Sequence, residues 1–262
     1  MTANQIHDRF DLTGRVALVI GGSTGIGRAI ALGLADAGAD VVASSRRSRE
    51  VAEVAKEIRA KGRRTVALTS DVLERATLEN LHAETVAAFG RVDILVNAAG
   101  TTKRMPTLEM PEKDWRMILR TNLTGMFHSC QIVAPTMVKQ GWGRIINIAS
   151  LATFVAFFEV AAYGVSKAGV AALTKSLAIE LARYGVCVNA IAPGFFPTEL
   201  NEMLLENTPR GREVLLRTPM ARYGRLEELV GTAVFLASES ASFLTGQVLA
   251  VDGGFLASGV NQ

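Results

Sequence analysis

Cysteine is nearly absent: Cys130 and Cys187 are the two in 262 residues, far apart and in apolar contexts. They form no metal-ligand or redox spacing, so both read as buried thiols in a reducing compartment. Long hydrophobic runs are missing too. The longest uncharged stretch, 121–138, is broken by Asn122, Gly125, His128, Gln131 and Pro135, which excludes a membrane span. The N-terminus, MTANQIHDRFDLTGR, lacks the apolar core of a signal peptide. Nor is there a large excess of one charge: 28 Lys and Arg face 25 Asp and Glu, a formal net charge of +3. The basic clusters, at Arg46, Arg47 and Arg49 and at Lys61, Arg63 and Arg64, are local and too few for a general nucleic-acid surface. The expectation is a soluble cytoplasmic protein with no nucleic-acid, membrane or metal partner.

What the chain does have is apolar material, 49% hydrophobic against 20% charged, enough for one large core. Short β-branched runs at 15–20, 40–44, 64–69, 92–97, 144–150, 186–191 and 247–251 read as strands. Helical patterns lie between them at 28–37, 74–88, 112–138, 161–184 and 226–237. Strict alternation predicts an α/β Rossmann-type doubly wound parallel sheet of about seven strands, with helices on both faces. Neither an internal repeat nor a long linker divides it. A single domain over 1–262 is expected, with 1–10 as an N-terminal extension and 195–217 as a substrate lid.

The first strand runs into GGSTGIG, residues 21–27, and then into a helix. Gly21, Gly25 and Gly27 permit a tight turn and close approach of a ligand. The helix N-terminus offers free N–H groups to a pyrophosphate, with Ser23, Thr24 and Ile26 beside it. The second strand should end where a ribose is read. There stand Ser44, Ser45, Arg46 and Arg47 with no carboxylate, so a 2′-phosphate is favoured and NADP(H) is expected over NAD(H). Arg46 is the first candidate, and the alternative is that Arg46 and Arg47 simply begin a solvated helix.

The chemistry concentrates in SLATFVAFFEVAAYGVSK, residues 150–167. Tyr163 and Lys167 are four apart, one turn of a helix, so an ammonium would sit near a phenol and depress its pKa from about 10. Tyr163 is then a general acid/base, and Ser150, at a strand end, a hydrogen-bond donor to a substrate oxygen.

These motifs stand in the order of the classical short-chain dehydrogenase/reductase family, which the chain resembles from Asp11 to about Phe255. G-x-x-x-G-x-G lies at 21–27, N-A-A-G at 97–100, Asn122 in NLTG, then Ser150, Tyr163 and Lys167, P-G-x-x-x-T at 193–198 and V-D-G-G at 251–254. Within that family, FDLTGRVALV, NLTGMF and RTPMARYGRLEELVGTAVFLAS look most like gluconate 5-dehydrogenase-like and 3-oxoacyl-[acyl-carrier-protein] reductase-like members. One departure is Ile20, where the family usually has a structural Thr. The resemblance implies that Asp71 and Val72 flank the adenine and that Asn97, Ala98 and Gly100 line the cofactor. Tyr163 and Lys167 would approach the nicotinamide and its ribose, bounded by Pro193, Gly194, Phe196 and Thr198. Asn122 would hold a water that links Lys167 to solvent. From the residues alone, Asp71 would be a helix N-cap and Asn122 a polar kink.

The resemblance further implies interconversion of a ketone and a secondary alcohol, on a sugar acid or related small oxo compound. The alternatives are a 3-oxoacyl thioester or hydrophobic ketone, and a non-catalytic NADP-binding regulator. Ala152, Phe157, Phe195 and Met203 are candidate pocket walls beside Ser150 and Tyr163. Arg104 reads either as a carboxylate partner or as a solvated rim residue. The long apolar faces of 112–138 and 161–184 resemble subunit-pairing helices, from which a homotetramer or a dimer is expected.

Overall fold

The computed structural model describes residues 3–198, 205 and 208–259. In chain order these form α1 (Ala3–Asp8), β1 (Val16–Ile20), α2 (Gly25–Asp36), β2 (Asp40–Ser44), α3 (Ser48–Ala60), α4 (Arg75–Phe89) and β3 (Ile94–Asn97). There follow α5 (Glu112–Leu119), α6 (Gly125–Gln140), β4 (Gly143–Ile148), α7 (Ala161–Leu181), β5 (Val186–Pro193), α8 (Pro209–Arg217), α9 (Val230–Ala237) and β6 (Val248–Val251).

Every residue of β1, β3, β4 and β5 is buried, which is why their sequences are mostly apolar rather than alternating, with Asn97, Arg144, Asn147 and Asn189 as buried polar exceptions. The six strands pair in parallel in the order β2-β1-β3-β4-β5-β6. Successive residues face opposite layers. Ala17, Val19, Val96, Ile146 and Ile191 pack with Ile30 and Leu34 of α2 and Leu236 of α9. Their neighbours Leu18, Ile20, Leu95, Ile145 and Val188 pack with Leu81 of α4, Met126 and Val133 of α6, and Val170 of α7. The strand order reverses between β1 and β3, and a ligand crevice opens at the C-terminal strand ends beside such a reversal.

The expected seventh strand is not formed. Residues 64–69 run along the outside of β2, pinned at their ends by Val41 N–H to Arg64 O (3.1 Å) and Ser70 N–H to Ser45 O (3.1 Å), with no continuous ladder between. Three of these six residues are exposed, so the segment forms an uncovered border. The helix raised as the alternative for Arg46 and Arg47 does form as α3, with Arg47 as its N-cap, and it buries Val51, Val54, Ala55 and Ile58 at a 3-4 spacing. The single helix expected at 112–138 is interrupted by a π-helical turn at Arg120–Thr124. That at 161–184 ends its α-helical part at Leu181, and that at 226–237 begins with a 3-10 turn, Leu226–Leu229. No helix among the described residues is long and apolar enough to cross a membrane.

Candidate active site

The glycine turn follows β1 directly. At Gly21, φ is +79°, and a β-carbon there would lie 2.5 Å from the backbone nitrogen of Ala99. At Gly27 it would collide with the Gly21 carbonyl oxygen and lie 3.1 Å from the Ala98 side chain. The turn therefore packs against the Asn97–Gly100 turn at a distance that no side chain tolerates. Thr24 caps α2 in extended conformation without spending its hydroxyl on the helix, so the first N–H groups of α2 remain available to an anion. Gly25, at φ +51°, has Thr198 as its neighbour, which brings the segment after β5 to the same turn.

Around the end of β2 a shallow bowl of hydroxyls and guanidiniums forms. Ser23 Oγ bonds Ser45 Oγ at 2.7 Å, the Arg47 guanidinium donates to Thr24 Oγ1 at 2.6 Å, and the Arg47 amide donates to Ser45 Oγ at 3.2 Å. Arg46, largely exposed, lies 3.9 Å from Asp71. Asp71 does not cap α4, whose N-cap is Glu74; it accepts instead from the amide of Leu73 at 3.0 Å. Val72 packs against Gly125 at the start of α6. A helix N-terminus whose N-cap side chain is not spent on it, a glycine cradle and two nearby guanidiniums fit the phosphates of a dinucleotide.

Ser150, Tyr163 and Lys167 lie close together, with electrostatics that differ from those read off the sequence. Ser150 follows β4, and its Oγ accepts from the Ala152 amide at 3.1 Å while its hydroxyl is also hydrogen-bonded to the Tyr163 phenol. Lys167 is buried on α7, one turn beyond Tyr163, with Nζ 5.7 Å from the tyrosine ring centre and donating to the Ile148 carbonyl at 2.6 Å. Burial pushes the Tyr163 phenol above its ordinary pKa, and a hydrogen bond with Ser150 pulls it partly back. The depression expected from Lys167 is not what this structure shows. Burial instead lowers the lysine itself to about 8. Both groups leave water for the same packed floor, and desolvation disfavours the charged form of each.

Asn122, fully buried in the π-helical turn, donates to the Thr101 carbonyl (2.9 Å) and to Ser166 Oγ (2.9 Å) and accepts from the Thr101 amide (2.8 Å). Ser166 Oγ in turn bonds the Tyr163 carbonyl at 2.7 Å. The wide turn thus presents one amide side chain to both the segment after the Asn97–Gly100 turn and the catalytic helix. A β-carbon on Gly100 would be 3.6 Å from Asn122 Oδ1 and 3.8 Å from Lys167 Nζ, so both side chains approach that glycine. Thr101 and Ser166 were not singled out from the sequence; the Tyr-x-x-Ser step on one helix face was the available sign.

Two expected cofactor contacts are turned elsewhere. Asn97 Nδ2 donates to Asn147 Oδ1 (2.9 Å) and Cys130 Sγ (3.4 Å), and its Oδ1 receives Ser129 Oγ (2.6 Å). With Asn147 Nδ2 donating to Thr174 Oγ1 at 3.0 Å, these form a buried network tying β3 and β4 to α6 and α7. Phe196 is 4% exposed and sits in the core, its ring against Gly224. A large apolar side chain after the strand end gains more from that burial than from the crevice. Pro193 ends β5, and Gly194 follows, its amide bonded to Val251 O at 2.8 Å.

On the substrate side, Phe157, Phe195 and Phe255 form a ring cluster with centres 5.5–6.1 Å apart. Ala152 is buried beside Ser150. Arg104 Nε donates to Glu159 Oε2 at 2.9 Å. Met203 lies outside the described residues. Arg210 of α8, passed over in the sequence, has its pKa lowered by burial and then by Arg104, with Glu213 and Glu159 opposing, so it shares the field of that pair.

Comparison with known proteins decides the family. A family model described as enoyl-(acyl carrier protein) reductase matches residues 21–256. The chain belongs to the short-chain dehydrogenase/reductase family, whose members act on CH–OH groups. It is 41% identical over 253 residues to 2-dehydro-3-deoxy-D-gluconate 5-dehydrogenase of Dickeya dadantii, covering 96% of this chain and 99% of that one. It is 42% identical over 247 residues to a 3-oxoacyl-[acyl-carrier-protein] reductase of Synechocystis, with 94% and 98% covered. Among solved structures, a gluconate 5-dehydrogenase from Burkholderia cenocepacia in complex with NADP and tartrate superposes with a TM-score of 0.93 at 40% identity, over 97% of this chain and 100% of that one. The family's fold, a parallel sheet flanked by helices, is the one described above, with six strands in place of about seven.

Proposed function

We propose that this short-chain dehydrogenase/reductase interconverts the keto and hydroxy forms of a sugar acid or related small oxo acid, with NADP(H) preferred. The observation that carries this reading is the convergence of Ser150, Tyr163, Lys167 and Asn122 at the strand ends, with Arg104 at the rim. Gly21, Gly25, Gly27 and the N-terminus of α2 would hold the pyrophosphate, and Ser45, Arg46 and Arg47 a 2′-phosphate. When bound, the nicotinamide supplies or accepts the hydride.

The protein's own part is proton and hydrogen-bond chemistry. Tyr163, held above its ordinary pKa, is a phenol at neutral pH and can give its proton to a carbonyl oxygen. Ser150 donates to the same oxygen, its acceptor side being occupied by the Ala152 amide. Lys167, with a pKa near 8, is mostly an ammonium at pH 7 and can replenish the phenol, and Asn122 orders the path beneath it. Alcohol oxidation needs the phenolate, so its rate should rise with pH as the reductive rate falls.

A second reading, reduction of an acyl thioester or other hydrophobic ketone, is favoured by the aromatic cluster and by exposed Phe154 and Phe158. Exposed Met117, Phe127 and Val165 along α5 to α7 support a homo-oligomer, a tetramer by the family resemblance.

Initial-rate measurements with NADPH and NADH on oxo sugar acids, neutral ketoses, 3-oxoacyl thioesters and cyclic ketones test the reading. The expected result is turnover of oxo acids with NADPH, lost at least about a thousandfold in Tyr163→Phe with dinucleotide binding kept. Turnover retained in Tyr163→Phe would overturn the mechanism, and preference for an uncharged ketone the substrate class.

A further inference from the structure

Glu159 stands in a conformation that its residue type disfavours. Its φ is +63°, in the left-handed region where a β-carbon crowds the backbone, and glycine would sit there without strain. The backbone turn alone therefore does not account for a glutamate. Two contacts hold it across the mouth of the crevice. Its carbonyl accepts from the Met105 amide at 2.8 Å, and its carboxylate accepts from Arg104 Nε at 2.9 Å. The segment before the catalytic helix is thereby tied to the segment after the Asn97–Gly100 turn.

The geometry of the second contact is informative. Arg104 spends Nε on Glu159, and among the described residues its two terminal NH2 groups make no hydrogen bond. A guanidinium held by Nε keeps its outer edge free for a planar carboxylate. Its Cζ also lies 5.9 Å from the centre of the Phe158 ring, at the outer range of a cation–π contact. Charge supports the same use. Arg210 shares the field of Arg104, Glu213 and Glu159, and among the described residues it makes no ion pair of its own, Glu213 being paired with Arg217 at 3.2 Å.

We propose that Glu159 is a positioning residue for substrate recognition: it fixes Arg104 through Nε so that the outer guanidinium edge receives a substrate carboxylate, with Arg210 as the second cation of that subsite. This inference rests on the sugar-acid reading and sharpens it. It assigns specificity for the acid over its uncharged analogue to a residue outside the serine, tyrosine and lysine set.

The test uses the full-length enzyme and compares an oxo sugar acid with its uncharged ketose counterpart. The variants are Glu159→Gly, Glu159→Gln, Arg210→Met and Arg104→Met, and the readouts are KM and kcat separately and the melting temperature. Glu159→Gly relieves the backbone strain, so its melting temperature should hold or rise. Its KM for the acid should nonetheless rise about three- to tenfold, with kcat moving much less and the acid-to-ketose ratio of kcat/KM falling. Glu159→Gln, which keeps shape but loses charge, should fall between it and the parent. Arg210→Met should raise KM for the acid in the same selective way. If Arg104→Met destroys acid preference while both Glu159 variants leave the ratio untouched, the role of Glu159 is refuted and the sugar-acid reading stands. If the parent enzyme shows no preference for the acid, the reading and this inference fall together.

Discussion

Replacing Lys167 by Met tests the electrostatics of the site without recourse to any substrate. The ammonium is buried, with a pKa lowered to about 8 from 10.5 by desolvation. In the unfolded chain the same amine is protonated up to about 10.5. Between these limits the unfolded state binds more protons than the folded one, so stability rises with pH through this window. The penalty is absent above 10.5, grows as pH falls, and is complete below about 8. Integrated, it amounts to about 3 kcal/mol at neutral pH. Against it stands the 2.6 Å bond to the Ile148 carbonyl, a charged contact worth about 1.5–3 kcal/mol, which the methionine also forfeits. The two effects nearly cancel at pH 7, so the variant should differ from the parent by no more than about 2 kcal/mol there, with turnover lost. The pH dependence is the sharper quantity. Urea unfolding of both proteins at pH 7.5, 8.5, 9.0 and 9.5 should show the parent gaining on the variant by up to about 1.4 kcal/mol per pH unit above 8. Other titrating groups drop out of the difference. Parallel stability curves over that range would refute the claim that Lys167 is desolvated in the folded chain.

Gly27→Ala should fold yet lose NADPH affinity by more than about tenfold, because its β-carbon would collide with the Gly21 carbonyl and deform the glycine turn itself; unchanged affinity by fluorescence titration would contradict that account. Asn147→Ala leaves Asn97 Nδ2 with only the weak acceptor Cys130 Sγ and removes the donor to Thr174 Oγ1 in a buried network, and should lower stability by about 1–3 kcal/mol in chemical denaturation. A loss below about 0.5 kcal/mol would show that the network is dispensable.

Much of this molecule was written into short stretches of chain. The apolar runs of β1 and β3 to β5 follow from burial on both faces, and the glycine turn from a backbone that must approach another backbone. The one-turn spacing of Tyr163 and Lys167 is a local property of a helix. Such features need only near neighbours, and a sequence displays near neighbours. Segment 64–69 misled because a β-branched run is necessary for a strand, but a partner ladder is a distant matter. Asn97 looked like a crevice residue because its motif is local; its amide turns inward to Asn147, 50 residues away.

Tertiary structure alone decided the rest. It set the direction in which Tyr163 and Lys167 titrate, because desolvation depends on everything packed around a group and not on the residue four positions away. It opened the helix at Asn122 to satisfy one amide from two segments. It also brought Arg104 to Glu159 across 55 residues. Chemical identity was legible residue by residue. Charge state and orientation were not, because both are sums over contacts that only the folded chain makes.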